Sequence, residues 1–161
     1  MEEVVAIIIR RATHKDYQGI LTIQKSGYGK VCWGWPEMFG DFIIFNGQSY
    51  VVVEDDKPVG YLHIKRSGIN TIHINQICFL AEYQQRGLGT KTLEWVKNYA
   101  NNKGIKNLTL HVESKKPINI QWYQSQGFNI QRRIRGYYKN GDDALFMRYL
   151  LNDYKTTHPI N

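Results

Sequence analysis

The sequence predicts a single α/β domain of the mixed type, with about seven strands and four helices. Short runs of β-branched residues alternate along the chain with segments in which apolar residues recur at helical spacing. The resulting element order, β-α-α-β-β-β-α-β-α-β-β, is typical of a mixed sheet with helices on both faces. With 161 residues, of which 42% are hydrophobic and 13% aromatic, the chain is long enough to bury one core.

The first half of the chain is predicted to carry four strands and two helices. Thr13 and Asp16 resemble a capping box before the first helix, and Pro36 at a helix N1 position opens the second. A turn at residues 55–58 joins two strands into a hairpin. The predicted elements are a strand at residues 4–10, a helix ending near residue 27, a helix at residues 36–45, and strands at residues 49–54, 59–65 and 71–80.

The second half is predicted to alternate helices with strands and to close with an antiparallel pair. Leu93, Val96 and Ala100 recur at helical spacing, and Lys103-Gly104 supplies a cationic last turn and a left-handed cap. The predicted elements are a helix from residue 90 to this cap, a strand at residues 107–112, a helix at residues 117–126 capped by Gly127, and strands at residues 128–135 and 144–150. We expect one domain over residues 1–151 and a loosely ordered tail over residues 152–161.

Charge and cysteine content limit the partners and the compartment. The formal net charge of +7 and the isoelectric point near 9.4 suit an anionic ligand or proximity to the ribosome. Lysines and arginines are scattered, so we expect no specific nucleic-acid surface. Cys32 and Cys78 are too few for a disulfide framework or a metal site, and the apolar run at residues 4–9 is too short to span a membrane. We therefore expect a soluble cytoplasmic protein with no membrane segment, whose oligomeric state the sequence does not specify.

A glycine loop follows the predicted strand at residues 71–80. Gly87 and Gly89 have no side chains, so the backbone there can lie close to a neighbouring group or a ligand. The helix that follows presents free N–H groups and the positive end of its dipole. No Lys-Ser/Thr pair follows directly after a glycine, as a nucleotide P-loop requires, and Thr92 stands where a dinucleotide fingerprint needs a third glycine. The glycine loop, residues 84–90, is therefore predicted to bind a phosphate or pyrophosphate in some other way.

The segment Gln84-Gln85-Arg86-Gly87-Leu88-Gly89 resembles the Gln/Arg-x-x-Gly-x-Gly signature of the GNAT acetyltransferase superfamily. The element order matches that superfamily over nearly the whole chain, which implies a mostly antiparallel sheet, acetyl-coenzyme A (acetyl-CoA) as co-substrate and no metal. An Asn that usually contacts the coenzyme is missing, because its position holds Lys116. Either Lys116 or Asn119, one turn later, could contact the coenzyme in its place. The resemblance implies that the coenzyme contacts Ile77, Cys78, Phe79, Gln84, Gln85, Arg86, Gly87, Leu88, Gly89, Thr90 and Tyr123.

Two further segments resemble the N-terminal (Nα) protein acetyltransferases of this superfamily, both the archaeal and eukaryotic catalytic subunits and the ribosomal-protein alanine type. Tyr137 and Tyr138, followed by Asp-Ala and Met, match the loop that grips the first residues of a substrate peptide there. Trp35-Pro36-Glu37 is similar to the segment that forms the opposite wall. The resemblance implies that Trp35, Pro36, Glu37, Tyr137 and Tyr138 bind the substrate peptide.

Acetyl transfer to an amine requires a base, an oxyanion site and a proton for the departing thiolate. His111 and His73 match positions at which relatives carry catalytic residues, and the pair is predicted to hold a water between its rings. Glu37 and Glu113 are alternative bases, and either histidine is also compatible with a structural role. Tyr123 matches the tyrosine that relatives place near the coenzyme sulfur, which implies that it returns the proton to the thiolate, although a structural role in the core is also compatible with its position. Backbone N–H groups near Phe79 and Leu80 are predicted to hold the oxyanion.

The predicted function is acetyl transfer from acetyl-CoA to the α-amino group of protein N-termini, by direct attack in a ternary complex. Two alternatives stay open. One is a GNAT enzyme that acts on lysine side chains or a small amine. The other is a basic, non-catalytic module that associates with the ribosome or RNA.

Overall fold

The computed structural model describes residues 6–28 and 48–151, without the side chains of residues 27 and 28. Within these ranges, the strands are β1 Ile7–Arg11, β2 Gln48–Glu54, β3 Lys57–Arg66, β4 Thr71–Phe79, β5 Asn107–Glu113, β6 Asn129–Ile134 and β7 Ala144–Leu150. The α-helices are α1 Tyr17–Tyr28, α2 Leu88–Asn102 and α3 Pro117–Ser125, and the short 3-10 helices are His14–Asp16 and Ala81–Tyr83. The helix predicted at residues 36–45 and the tail lie outside the described residues.

The seven strands hydrogen-bond in the order β1-β2-β3-β4-β5-β7-β6. β1 with β2, β2 with β3, β5 with β7 and β6 with β7 are antiparallel pairs, whereas β4 and β5 run parallel. The predicted mixed, mostly antiparallel sheet is therefore confirmed. Most predicted boundaries fall within two residues of the observed ones. The start of β1 was predicted at Val4, which is outside the described residues.

The chain divides into two compact units. The first consists of Met1–Lys65 and Asn75–Trp95, and the second of Arg66–Ile74 and Val96–Asn161. The chain passes from one unit to the other at the end of β3, within β4 and within α2. The glycine loop belongs to the first unit, and both candidate histidines belong to the second.

β-branched and aromatic side chains fill the core of the first unit. All residues of β2 after Gln48 are buried, as expected for a strand covered on both faces. Ile20 and Ile23, spaced along one face of α1, are 2% and 0% exposed. A Cβ built on Gly60 would lie 2.5 Å from the ring of Phe79, so the absence of a side chain there lets the Phe79 ring lie against β3.

The turn between β2 and β3 is tighter than predicted. Asp55 and Asp56 have φ angles of 48° and 62°, and Glu54 already pairs with Lys57. Two residues in the left-handed region form the type of turn whose twist matches that of a β-hairpin. The predicted turn is therefore present but two residues shorter than residues 55–58, because Lys57 and Pro58 are the first residues of β3.

An ion pair fixes the start of the first helical segment. The two terminal guanidinium nitrogens of Arg10 each lie 2.9 Å from an oxygen of the Asp16 carboxylate, which also accepts the Thr13 N–H at 2.8 Å. The hydrogen bond from Arg10 is the main cause that lowers the pKa of Asp16 below its usual value. The Thr13–Asp16 capping box is confirmed, although a 3-10 turn precedes α1.

Strands β5 and β7 contribute buried side chains to the core of the second unit. Leu108, Leu110 and Val112 of β5 are 0%, 1% and 5% exposed. Lys97 of α2 is also buried, and it donates to the Gln126 carbonyl oxygen at 2.9 Å, just after α3. The predicted left-handed caps after α2 and α3 are confirmed, since Gly104 and Gly127 have φ angles of 70° and 95°.

Candidate active site

The glycine loop connects β4 to α2 through two left-handed residues. After the 3-10 turn Ala81–Tyr83 the chain is extended at Gln84, and then Gln85 and Gly87 adopt φ angles of 59° and 79°. A Cβ built on Gly87 would meet no atom within 4 Å, so the chain there borders open space. The sharp turn brings the loop directly into the first turn of α2.

The start of α2 has the features of an anion site. The backbone bond from the Lys91 N–H to the Gly87 carbonyl oxygen measures 3.1 Å and belongs to the first turn. The N–H groups at a helix start have no carbonyl four residues earlier within the helix. Together with the positive end of the dipole, such groups favour a phosphate or pyrophosphate. The open space at Gly87 and this helix start therefore fit the diphosphate of acetyl-CoA.

Two side chains of the glycine loop contact the protein itself. The Arg86 guanidinium lies 3.2 Å from the Glu54 carboxylate and 4.8 Å from the centroid of the Tyr83 ring. Gln84 Nε2 donates to the Phe79 carbonyl oxygen at 3.2 Å. These contacts hold the loop against β2 and the end of β4. In this arrangement, an anion at the loop would contact the backbone more than these two side chains.

The end of β4 corrects one prediction. The Leu80 N–H donates to the Val59 carbonyl oxygen at 2.9 Å, so this amide is already used within the first unit. The expectation that Leu80 contributes to an oxyanion site was therefore wrong. Cys78 is buried and its Sγ donates to the Ile23 carbonyl oxygen at 3.3 Å, which is typical of a structural thiol.

The two candidate histidines of the second unit are in direct contact. His111 Nδ1 lies 3.2 Å from His73 Nε2, and the ring centroids are 4.8 Å apart. His73 Nδ1 lies 2.8 Å from the hydroxyl of Thr109. The histidine pair, His73 and His111, thus leaves no room for the water that the sequence led us to expect between the rings.

Tyr137 contacts the histidine pair from the loop between β6 and β7. Its ring stacks on that of His111, with centroids 4.5 Å apart and an angle of 21°, and its hydroxyl lies 3.4 Å from His111 Nδ1. Tyr138 packs edge-on against Tyr137 at 5.0 Å. One residue predicted to bind substrate and one predicted to act as a base therefore lie side by side.

Ionic contacts hold this tyrosine loop, residues 136–143. The Asp143 carboxylate accepts the Gly136 N–H at 2.9 Å and Arg133 Nε at 2.6 Å, and Arg133 is on β6. The hydrogen bond from the Gly136 N–H is the largest cause that lowers the pKa of Asp143, and the bond from Arg133 lowers it further. Lys115, just after β5, pairs with Asp142 at 2.6 Å. None of these contacts was predicted, although the pair of aspartates before β7 is a sequence signal for such a loop.

Tyr123 lies on α3 against aromatic neighbours. Its ring packs edge-on against Phe128, with centroids 5.8 Å apart, and at a tilt of 57° against Trp122, with centroids 4.9 Å apart. Although the residue as a whole is only partly buried, desolvation raises the pKa of its hydroxyl to about 12. The hydroxyl is thus fully protonated at neutral pH and can donate a hydrogen bond.

The sequence left the coenzyme contact at the start of α3 open between two residues. Lys116 is the N-cap of α3 and its Nζ lies 3.5 Å from the Glu113 carboxylate, while Asn119 is exposed on the helix. The pairing with Glu113 also affects one of the alternative bases. Glu113 is partly buried, and its carboxylate is held by this lysine.

Residues 9–128 match the model of the acetyltransferase (GNAT) family. The chain belongs to the GNAT acetyltransferase family. It is 26% identical over 121 residues to N-alpha-acetyltransferase 30 of Schizosaccharomyces pombe, a match that covers 73% of each protein. It is also 25% identical over 142 residues to an uncharacterised N-acetyltransferase of Methanocaldococcus jannaschii, covering 88% of this chain and 90% of that one. The chain is accordingly an N-acetyltransferase, not a non-catalytic module.

Solved structures of GNAT enzymes share the fold. The ribosomal-protein-S18-alanine N-acetyltransferase of Escherichia coli has a TM-score of 0.81 at 20% identity, covering 91% of this chain and 94% of that one. Mutant forms of the spermidine/spermine N-acetyltransferase of Vibrio cholerae reach 0.79 at 15% identity, covering 94% and 97%. A GNAT acetyltransferase of Elizabethkingia anophelis with acetyl-CoA bound reaches 0.72 at 19% identity, covering 89% and 97%. At these identities the likeness shows the fold alone.

Some predicted features lie beyond the described part of the chain. Trp35, Pro36 and Glu37, predicted for substrate binding and, for Glu37, for catalysis, fall outside it. In the ranges that are described, no helix combines the length and apolar character that crossing a membrane requires. No three His, Cys, Asp or Glu side chains come together there as a metal site would need.

Proposed function

We propose that this GNAT enzyme transfers the acetyl group of acetyl-CoA to the α-amino group of protein N-termini. The contact between Tyr137 and His111 is the observation that carries this proposal. A tyrosine on the loop expected to hold a peptide lies against the imidazole expected to take the proton. A substrate peptide held by the tyrosine loop therefore presents its first nitrogen beside a base.

The chemistry of the amine supports an N-terminal substrate. An α-amino group has a pKa of about 7.7–8.0, whereas a lysine side chain has one of about 10.4. At neutral pH a sizeable share of α-amino groups is already neutral, so a histidine is a strong enough base. The same base leaves lysine almost fully protonated. His111, assisted by His73, is the proposed base.

The remaining groups complete the reaction. The glycine loop binds the diphosphate of acetyl-CoA through backbone N–H groups, and the thioester supplies the acetyl group. Tyr123 donates a hydrogen bond to the departing sulfur. Because burial raises the pKa of this hydroxyl to about 12, well above that of a thiol near 8.5, it stabilises the thiolate mainly by hydrogen bonding.

The net charge argues against a polyamine as the substrate. A chain with a formal charge of +7 repels polycations such as spermidine and attracts the anionic coenzyme. The same charge is compatible with a position near the ribosome, where new N-termini emerge. We therefore prefer a peptide N-terminus over a small amine.

A panel of short peptides tests the proposed function. The peptides differ in their first two residues and are assayed with acetyl-CoA beside three controls: an N-terminally blocked peptide, a blocked peptide containing lysine, and spermidine. We expect turnover only with free N-termini, and a loss of about 100-fold or more in a His111→Gln variant. Equal turnover of the blocked lysine peptide or of spermidine would refute the proposal.

A further inference from the structure

The Thr109 hydroxyl contacts the inner end of the histidine pair. Thr109 is only 6% exposed, and its Oγ1 lies 2.8 Å from His73 Nδ1. We propose that Thr109 is a positioning residue, which fixes the nitrogens that carry protons in His73 and, through it, in His111. This inference rests on the proposed role of His111 as the base.

The strand register places the three side chains in line. His73 on β4 is the parallel partner of Thr109 on β5. Side chains alternate between the two faces of a strand, so His111, two residues after Thr109, lies on the same face of β5. A chain of contacts then runs from Thr109 Oγ1 to His73 Nδ1, and from His73 Nε2 to His111 Nδ1.

A neutral imidazole carries one N–H donor and one nitrogen acceptor, and the Thr109 hydroxyl can donate or accept, so this chain of contacts allows two proton orders. In the first, Thr109 accepts the Nδ1–H of His73, and His73 Nε2 then accepts the Nδ1–H of His111. In the second, every bond is reversed. The Tyr137 hydroxyl, 3.4 Å from the same His111 Nδ1, can accept from it in the first order and donate to it in the second. Only the first order leaves the lone pair of His111 on Nε2, the nitrogen that does not face His73.

The first order also suits proton uptake. When an amine N–H bond breaks, its electron pair stays on the amine nitrogen and the proton forms a new N–H bond at His111 Nε2. The charged imidazolium still donates its Nδ1–H to His73 Nε2, so no ring has to turn. Under this proposal Thr109 acts on the reaction through His73: when its oxygen accepts the Nδ1–H, that bond favours the tautomer of His73 that stabilises the charged His111.

Two substitutions at one position test this inference. Thr109→Val replaces the hydroxyl by a methyl group of similar size, and Thr109→Ser keeps the hydroxyl. In the wild type, nitrogen-15 NMR of the imidazoles should show the proton of His73 on Nδ1. In the valine variant we expect His73 to lose this single tautomer, and kcat to fall about tenfold at unchanged KM for acetyl-CoA. The serine variant should restore both the spectrum and most of kcat.

Three results would overturn the inference: a wild-type proton on His73 Nε2, an unchanged spectrum in Thr109→Val, or a serine variant as slow as the valine variant. The NMR measurement requires no turnover, so it also separates this inference from the proposed function. If peptides are not acetylated while the spectra behave as expected, the proton order holds and the substrate assignment fails. Thermal unfolding of both variants checks that each is folded.

Discussion

Replacing Gly87 by alanine tests whether the glycine loop binds acetyl-CoA through its backbone. Gly87 has a φ angle of 79°, and a methyl group built on it would project into open space instead of clashing with the protein. The substitution thus changes the backbone preference of the loop and fills space that the coenzyme is expected to occupy. Gly104, two residues after α2, has a φ angle of 70° and is equally open, which makes Gly104→Ala a matched control.

The expected magnitudes separate stability from binding. A non-glycine residue in the left-handed region costs about 1–2 kcal/mol, of which the stiffer unfolded chain of an alanine variant offsets about 0.4–1 kcal/mol. Both variants should therefore lose about 1 kcal/mol of unfolding free energy and about 2–4 °C in Tm. Each hydrogen bond to a charged phosphate contributes about 1.5–3 kcal/mol, so losing one or two in Gly87→Ala weakens coenzyme binding about 10–100-fold or more.

Isothermal titration with acetyl-CoA, together with thermal unfolding in its absence, measures both quantities on the same samples. We expect the two variants to unfold at similar temperatures and only Gly87→Ala to bind weakly. If Gly87→Ala binds acetyl-CoA as tightly as Gly104→Ala does, the loop backbone is not the diphosphate site. A shared loss of binding would instead show that the effect comes from stability.

Three further predictions concern single side chains. Tyr123→Phe should lower kcat about 10–100-fold, through the loss of one hydrogen bond to the departing sulfur, with unchanged KM for acetyl-CoA; unchanged kcat would exclude the proposed role. Asp16→Asn should lower the unfolding free energy in urea by about 2 kcal/mol at pH 7, because it breaks the pair with Arg10. Since the pKa of Asp16 is lowered on folding, this difference is complete above the unfolded pKa of about 3.9 and should shrink as the pH falls through the lower folded value; a constant difference would contradict the assignment. Glu54→Gln removes the carboxylate that pairs with Arg86 and should weaken acetyl-CoA binding, because this ion pair fixes the conformation of the glycine loop. Tighter binding would show instead that the released Arg86 binds the phosphates directly.

Most of the described fold could be predicted from local patterns. Helical spacing after the glycine loop, the Thr13–Asp16 capping box and the left-handed caps at Gly104 and Gly127 each depend on a few neighbouring residues. The β2–β3 turn was predicted too long because Asp, unlike Gly, only sometimes adopts a positive φ. The sequence pattern alone did not show that two consecutive aspartates would do so.

The candidate site was predictable only in part, because several of its contacts join residues that are far apart in the sequence. The histidines and tyrosines could be named from a resemblance, but the role of Thr109 depends on the register of two parallel strands that are 36 residues apart at this point. The occupied amide of Leu80 depends on the pairing of that residue with Val59 on another strand. Such long-range contacts leave no periodic signal in a single sequence.

The glycine loop and the histidine pair therefore differ in how they depend on the sequence. The glycine loop is expected to act through backbone N–H groups, so its sequence needs small residues and a helix start, and a short motif can reveal it. The histidine pair is proposed to act through side chains whose protons are ordered by hydrogen bonds across strands, so nearby residues would tune it without forming a motif. It follows that substitutions such as Thr109→Val can change the catalytic step while leaving every recognisable element of the family signature intact.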